Sequence, residues 1–482
     1  VRRPTLADLL AQNRERTRLS ALRTQLVRSS AEESELRDLA ARLYRNDEWT
    51  GGTGVEGWLD SELRGRNGYQ ESFSMAGEAQ AAESELTRAP LDGAEVQLTI
   101  DVALQRAAQD VLDHPQMPNG DETDQLWCQY PVGAIVLLTP EGDVLVDAST
   151  PTKDGLPPTP GRDEEHSHLR ERSLQRPTVN PPGSCFKPFV AAYALERLKF
   201  ERSRAFVCGE LKGGGKGYAT MHCHGHGTIE LRQALVESCN AYFGQLAEAC
   251  YKPEDFLAMA HLFGFGEPTG LSPVNERGRA RLREDYLIPG EGGLPKLLQD
   301  RGTLMRFACG LCPMEATPMQ VARATAGLAT GTLPEVRLVR KIGALEQPQR
   351  SRPLGISEST LEFVRGALEG VVREGGGTAH ISGLSEARLG FTFACKTGSA
   401  DISPFEDTPE LTPADRADML AGKWRKHTWI AGWFPAEHPR AILVVYLHDV
   451  SETATRSSVY VAAQFLQQEA VRRFAGGEEP KR

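Results

Sequence analysis

The sequence predicts a mixed α+β fold in which strands of one sheet are interspersed with helices along a 482-residue chain. Three observations carry that prediction. Apolar runs of strand length recur late in the chain, at 391–394, 429–433 and 441–447, and read as successive strands of one sheet. An earlier pair, 132–138 and 144–148, is joined by Pro140-Glu141-Gly142-Asp143, a turn sequence. Longer stretches at 184–198, 231–250 and 459–474 have helical length and helix-forming composition.

Taken in order, residues 6–46 are charged, rich in Leu, Ala and Arg, and helical in spacing, with Leu19, Leu22 and Leu26 near one face. The cluster Gly51-Gly52-Thr53-Gly54 ends that segment. Residues 55–93 read as a short helix and an extended linker. The expected division is therefore an N-terminal region at 1–95 and a main domain at 96–482. Residues 99–112 read as a helix opened by Asp101, whose carboxylate suits an N-cap. Residues 150–182 are rich in Pro, Asp, Glu, Arg and Ser and read as a long loop, a common place for the rim of a functional site. Ala191, Ala192 and Ala194 allow the following helix to pack closely.

Forty per cent hydrophobic and 25% charged residues are ordinary for a globular protein. A formal charge of −10 argues against nucleic acid or an anionic membrane surface as an electrostatic partner. No apolar run reaches the roughly 18 residues that read as a membrane span.

The chemistry concentrates in three short motifs. Ser184-Cys185-Phe186-Lys187 puts a hydroxyl and an amine three residues apart, close enough to meet on one helix face. A buried, neutral lysine could take the serine proton. Ser238-Cys239-Asn240 follows, and then Lys396-Thr397-Gly398 with Ser399 after it. Each alone is common in unrelated chains. In this order they resemble the S-x-x-K, S-x-N and K-T-G set of penicillin-binding proteins and class A β-lactamases. Val96-Gln97-Leu98-Thr99-Ile100-Asp101, Phe263-Gly264-Phe265-Gly266 and His427-Thr428-Trp429-Ile430-Ala431-Gly432-Trp433-Phe434-Pro435 extend the resemblance. Gly54-Val55-Glu56 and Leu63-Arg64-Gly65-Arg66-Asn67-Gly68 resemble the pieces that precede the catalytic domain in class B members. The likeness covers about four-fifths of the chain and runs toward the elongation-type members.

The resemblance implies a penicillin-binding transpeptidase or serine β-lactamase-like fold, a central antiparallel sheet flanked by helices, with a reduced N-terminal segment. It implies a peptidoglycan D,D-transpeptidase, inhibited by β-lactams and needing no cofactor for catalysis. Ser184 would be the nucleophile, Lys187 its base, Ser238 a proton relay and Asn240 a clamp on substrate and lysine. Lys396 would supply positive potential, and Thr397 and Ser399 would bind the substrate carboxylate beside Gly398, whose missing Cβ lets substrate approach. The substrates would be stem peptides of lipid II-derived strands, and a membrane glycosyltransferase the expected partner. The implied location is the extracytoplasmic face of the membrane, held by an N-terminal helix outside these 482 residues. The alternatives are a D,D-carboxypeptidase or β-lactamase of the same fold, and a non-enzymatic β-lactam sensor or scaffold. The intact S-x-N and the lack of a deacylating glutamate candidate favour slow deacylation, and the intact motifs argue against a scaffold.

Nine cysteines, an odd number, exclude complete intramolecular pairing. Cys208, Cys223, His226 and Cys239 lie between S-x-x-K and the end of S-x-N, and a Cys₃His set suits a structural zinc. With Ser238 and Asn240 facing the cleft, Cys239 faces away, toward such a site. The alternative is a Cys208–Cys223 disulfide with Cys239 buried, and His222 and His224 are further candidate ligands. Some elongation-type relatives carry a metal near S-x-N, which favours zinc. Cys185 and Cys395 are expected in the core. Cys309-Gly310-Leu311-Cys312 departs from the family pattern and reads as buried thiols or a local disulfide.

Overall fold

The structure is a computed structural model. It describes residues 54–71, 85–117, 132–150, 181–208, 223, 225–271, 294–401, 426–450 and 457–478, with Cys128 and scattered positions between 17 and 39. Most of the predicted helical segment at 6–46 lies outside the described residues, and 151–180 of the predicted loop wholly so.

The chain divides into two compact units, one of which includes Val1–Leu98 and Val339–Pro348. In that unit the short helices Gly54–Trp58 and Asp60–Leu63 are followed by a turn at Gly65. There φ is +72°, and a Cβ would collide with Leu91 O. Arg66 and Leu91 exchange backbone hydrogen bonds of 2.8 and 2.9 Å. Val96–Leu98 pairs antiparallel with Val339–Ile342, which also pairs with Leu345–Glu346.

The second unit is built on a five-stranded antiparallel sheet. Its elements are α1 (Val102–Asp113), β1 (Gly133–Leu138), β2 (Val144–Thr150), α2 (Lys187–Glu196), α3 (Leu231–Val236), α4 (Asn240–Cys250), α5 (Pro318–Thr330), α6 (Glu358–Arg373), β3 (Ala394–Asp401), β4 (Lys426–Phe434), β5 (Ala441–Val450), α7 (Ser457–Leu466) and α8 (Glu469–Ala475). The strand order is β3-β4-β5-β1-β2. Consecutive residues of β1 and of His427–Phe434 are buried, so both faces of the sheet are covered. Helix α5, buried from Pro318 to Ala329, packs on β1, β4 and β5, and α7 packs on β4, β5 and α1.

Both edges of the sheet are protected. On β2, Gln105 of α1 accepts from Asp147 N at 2.8 Å and donates to Asp147 O at 3.0 Å, pairing as another strand would. The other edge, β3, carries the K-T-G motif and meets the turn before α2. Helix α2 is held by rings: Phe186, Phe189, Phe263, Phe265 and Phe307 stand 4.9–6.1 Å apart in contacting pairs. Removing one such buried ring costs about 3–5 kcal/mol.

Several expected elements differ in detail. Residues 184–198 are not one helix, because Gly183–Phe186 forms a 3₁₀ turn before α2. Residues 231–250 form two helices, because Ser238 adopts a left-handed φ of +59° that a continuing helix excludes. Residues 459–474 likewise divide between α7 and α8. Strand β3 begins at Ala394, later than the 391–394 run suggested, and includes the whole K-T-G motif.

Asp101 caps α1, accepting from Ala103 N and Leu104 N at 2.9 Å each, while its own N–H donates to Leu145 O on β2. Asp101→Ala is expected to lower unfolding free energy by about 1 kcal/mol in urea titration. An unchanged midpoint would contradict this cap's role.

Candidate active site

The Gly183–Phe186 turn carries the candidate nucleophile Ser184, and the side chains that follow it enter different surroundings. Ser184 is half-buried. Cys185 is buried, and its Sγ donates to Lys396 O at 3.2 Å. Burial pushes the Cys185 thiol up to about 12, so it keeps the proton that this bond needs. Phe186 enters the ring cluster, and Lys187 enters a polar pocket with no exposed surface. The turn meets β3 backbone against backbone. At Gly183, φ is +55° and a Cβ would collide with Ser399 O. At Gly398, a Cβ would lie 2.5 Å from Pro182 O and 3.0 Å from Cys185 Sγ. From the other side, Gly183 N donates to Gly310 O at 2.9 Å. The Cys309–Cys312 segment thus buttresses the turn, and neither of its thiols is in a disulfide.

Lys187 Nζ donates to Asn240 Oδ1 at 2.6 Å and to Ser238 O at 2.7 Å, and lies 3.3 Å from Ser238 Oγ. Burial pushes its pKa below the usual lysine value, against the opposing influence of Cys309 and other nearby thiols. No hydrogen bond joins the Ser184 and Lys187 side chains among the described residues. The helix break at Ser238 presents both its carbonyl and its hydroxyl to the lysine. A left-handed residue other than glycine costs on the order of 1–3 kcal/mol and clusters at functional sites.

On β3, Lys396 is 1% exposed and its Nζ donates to Thr397 O at 3.0 Å. Burial first, and the charge of Lys187 second, lower its pKa to about 7. Thr397 Oγ1 lies 2.6 Å from Thr378 Oγ1. Ser399 is half-buried near the nucleophile turn. Sequence reasoning did not single out Thr378. Its signal was the glycine run Gly375-Gly376-Gly377 after a long helix, which marks a tightly placed backbone.

Behind S-x-N the four predicted ligands converge. The hairpin of Phe206–Cys208 and Gly227–Ile229 sets Cys208 opposite Gly227, next to His226. Cys208 Sγ is 3.3 Å from both Cys223 Sγ and His226 Nδ1, and Cys223 Sγ is 3.5 Å from Cys239 Sγ. All four donor atoms lie within 4.8 Å of one another. A disulfide needs about 2.05 Å. Tetrahedral zinc–sulfur bonds place sulfurs about 3.8 Å apart, so a small expansion fits the ion. The first turn of α4 supports thiolates, with Tyr242 N donating to Cys239 Sγ at 3.3 Å and Ala241 N to Cys223. The hydrogen bond from Cys239 holds the Cys223 thiol well below the usual cysteine range, which favours its thiolate form. His226 Nε2 sits 3.6 Å from Glu237 Oε2, which leaves Nδ1 to face the sulfurs. The donor set therefore fits zinc. His222 and His224 lie outside the described residues.

The model of the penicillin binding protein transpeptidase domain matches residues 133–468, more than half of the chain. The chain belongs to the penicillin-binding protein transpeptidase family. A curated relative, the peptidoglycan D,D-transpeptidase MrdA of Haemophilus influenzae, is 25% identical over 443 residues, covering 85% of this chain and 62% of that protein. This chain thus spans less than two thirds of that relative's length. A chain of a peptidoglycan synthase complex is similar in fold, with 23% identity, a TM-score of 0.67, and coverage of 91% of this chain and 72% of that one. Helicobacter pylori PBP2, solved in complex with MreC, matches with 23% identity, a TM-score of 0.62, and coverage of 87% and 71%. The observed antiparallel sheet with helices on it is the fold that the resemblance implied.

In this member of the family, the S-x-x-K, S-x-N and K-T-G residues all lie within one unit of the fold. At Gly398 the atoms that a Cβ would meet belong to the turn that carries Ser184.

A lysine with a lowered folded pKa binds fewer protons folded than unfolded. Its destabilising effect is full below about pH 7 and fades as pH rises toward the usual value of 10.5. Lys396→Met is therefore expected to raise the urea midpoint at about pH 6, to raise it less at about pH 9, and to reduce acylation. A midpoint at pH 6 equal to or below wild type would contradict the placement of this buried charge.

Proposed function

We propose that this chain is a serine D,D-transpeptidase that cross-links peptidoglycan stem peptides. The observation that carries the reading is the buried Lys187 held by Ser238 and Asn240, directly behind the turn that presents Ser184. Protonated, the lysine has three donors for three oxygens. Neutral, it has two, which suit Ser238 O and Asn240 Oδ1 because these oxygens only accept. Its lone pair is then left for a hydroxyl proton. Ser184 Oγ attacks the carbonyl of the penultimate D-Ala, and its proton passes to neutral Lys187. The N–H groups of Ser184 and Ser399 hold the oxyanion, each such donor contributing about 3–4 kcal/mol in a well-studied hydrolase. The lysine's proton reaches the leaving amine through Ser238, and the terminal D-Ala departs. The amine of a second stem peptide then attacks the acyl-enzyme, forming the cross-link and releasing Ser184. Thr397 and Ser399 donate to the substrate carboxylate, under the positive potential of Lys396. β-Lactams acylate the same serine.

Cys208, Cys223, His226 and Cys239 would hold a structural zinc that braces the S-x-N segment from behind and takes no part in the reaction. The MrdA relative, named a peptidoglycan D,D-transpeptidase, supports the reaction, and the proposal places it in cell-wall elongation at the extracytoplasmic face of the membrane. The likeness to a chain from a peptidoglycan synthase complex supports a membrane glycosyltransferase as partner.

Fluorescent penicillin is expected to label the wild type and not Ser184→Ala, whereas labelling that survives the substitution overturns the site. Elemental analysis is expected to find about one zinc per chain, lost in Cys223→Ser together with thermal stability. Metal-free wild type with Cys208 and Cys223 oxidised would overturn the zinc reading.

A further inference from the structure

The carboxylate end of the cleft contains a pair of hydroxyls 2.6 Å apart, Thr378 Oγ1 and Thr397 Oγ1. Among the described residues neither side chain has another hydrogen-bond partner. Each hydroxyl has one proton to give and two lone pairs to receive. One of the pair must donate to the other, and an adjacent ligand decides which. A carboxylate only accepts. Thr397 can give its proton to a carboxylate and keep the short contact only if Thr378 donates to it.

We propose that Thr378 is a positioning residue that directs the Thr397 proton into the cleft and so tunes the enzyme for an anionic, carboxylate-terminated ligand. This rests on the reading that Thr397 binds the substrate carboxylate.

The backbone around Thr378 suits the task. Gly377 N donates to Glu374 O at 2.8 Å, Ala379 N to Val371 O at 3.1 Å and His380 N to Gly377 O at 3.0 Å. These bonds fasten the segment to the last turns of α6, which packs on β3. At Gly377 a Cβ would collide with Val371 O, so the tight turn that delivers Thr378 admits no larger residue there. A hydroxyl anchored in this way is pre-oriented and loses little freedom when ligand arrives. Donation from Thr378 also polarises Thr397 and strengthens its bond to an anion.

The test compares acylation of Ser184 by a penicillin and by the methyl ester of the same penicillin, in wild type, Thr378→Val, Thr378→Ser and Thr397→Val. Thermal midpoints serve as the control for folding. Thr378→Val is expected to lower acylation by the acid about tenfold and to leave the ester unaffected, so the acid-to-ester ratio falls about tenfold. Thr378→Ser, which restores a hydroxyl, is expected to keep the ratio within about twofold of wild type. Equal losses for acid and ester in Thr378→Val would show a merely structural effect and overturn the proposal. So would an unchanged ratio. Thr397→Val separates the two readings. If it lowers the ratio and Thr378→Val does not, only the role of Thr378 falls. If neither lowers it, the carboxylate site is misplaced and both fall.

Discussion

Between Pro182 and Cys185 the chain runs against the edge of the strand Ala394–Asp401 with no side chain separating the two backbones. Gly183 and Gly398 make that approach possible, and the Cys185 thiol pins it to Lys396 O. The remaining placements follow from it. The strand's register brings Thr397 and Ser399 beside the nucleophile turn, the turn sends Phe186 into the ring cluster, and the next residue carries its amine to S-x-N. Because the turn is also tied to Gly310, it is braced on two sides, and Ser184 stands on a rigid support.

The site is built from groups that oppose stability. Two lysines are buried and the charge of Lys187 helps to lower the pKa of Lys396, Ser238 occupies a left-handed conformation, and a cluster of thiols sits behind it. Each feature costs folding free energy, and each is matched by a use. Low pKa makes a lysine a base, the backbone reversal at Ser238 turns two oxygens toward one amine, and clustered thiols suit a metal. The large apolar sheet and the aromatic core around α2 supply the stability that offsets these costs.

Much of this was legible in the sequence. The three motifs named residues that the fold brings together, Asp101 announced the start of α1, and the turn at Pro140–Asp143 gave the first hairpin. The spacing of Cys208, Cys223, His226 and Cys239 named a ligand set. Their convergence depends on the register that sets Cys208 opposite Gly227, which spacing alone does not encode. The helix at 231–250 was misread as continuous because its apolar pattern carries through Ser238, a residue with no intrinsic preference for positive φ. Tertiary contacts to Lys187 impose that conformation. Thr378 escaped notice for a similar reason: its partner is a strand that arrives from elsewhere in the chain. Gly398 stands out in the sequence within K-T-G, but its contact with Pro182 is visible only in three dimensions.

The central claim is that this backbone contact places the nucleophile. Gly398→Ala tests it most directly, since φ at Gly398 is outside the left-handed region and the substitution adds only a Cβ against Pro182 O and Cys185. The measurement is the second-order rate of Ser184 acylation by penicillin, alongside the thermal midpoint. The account predicts a loss of about a hundredfold or more in a protein that still folds. Acylation within about threefold of wild type would contradict it.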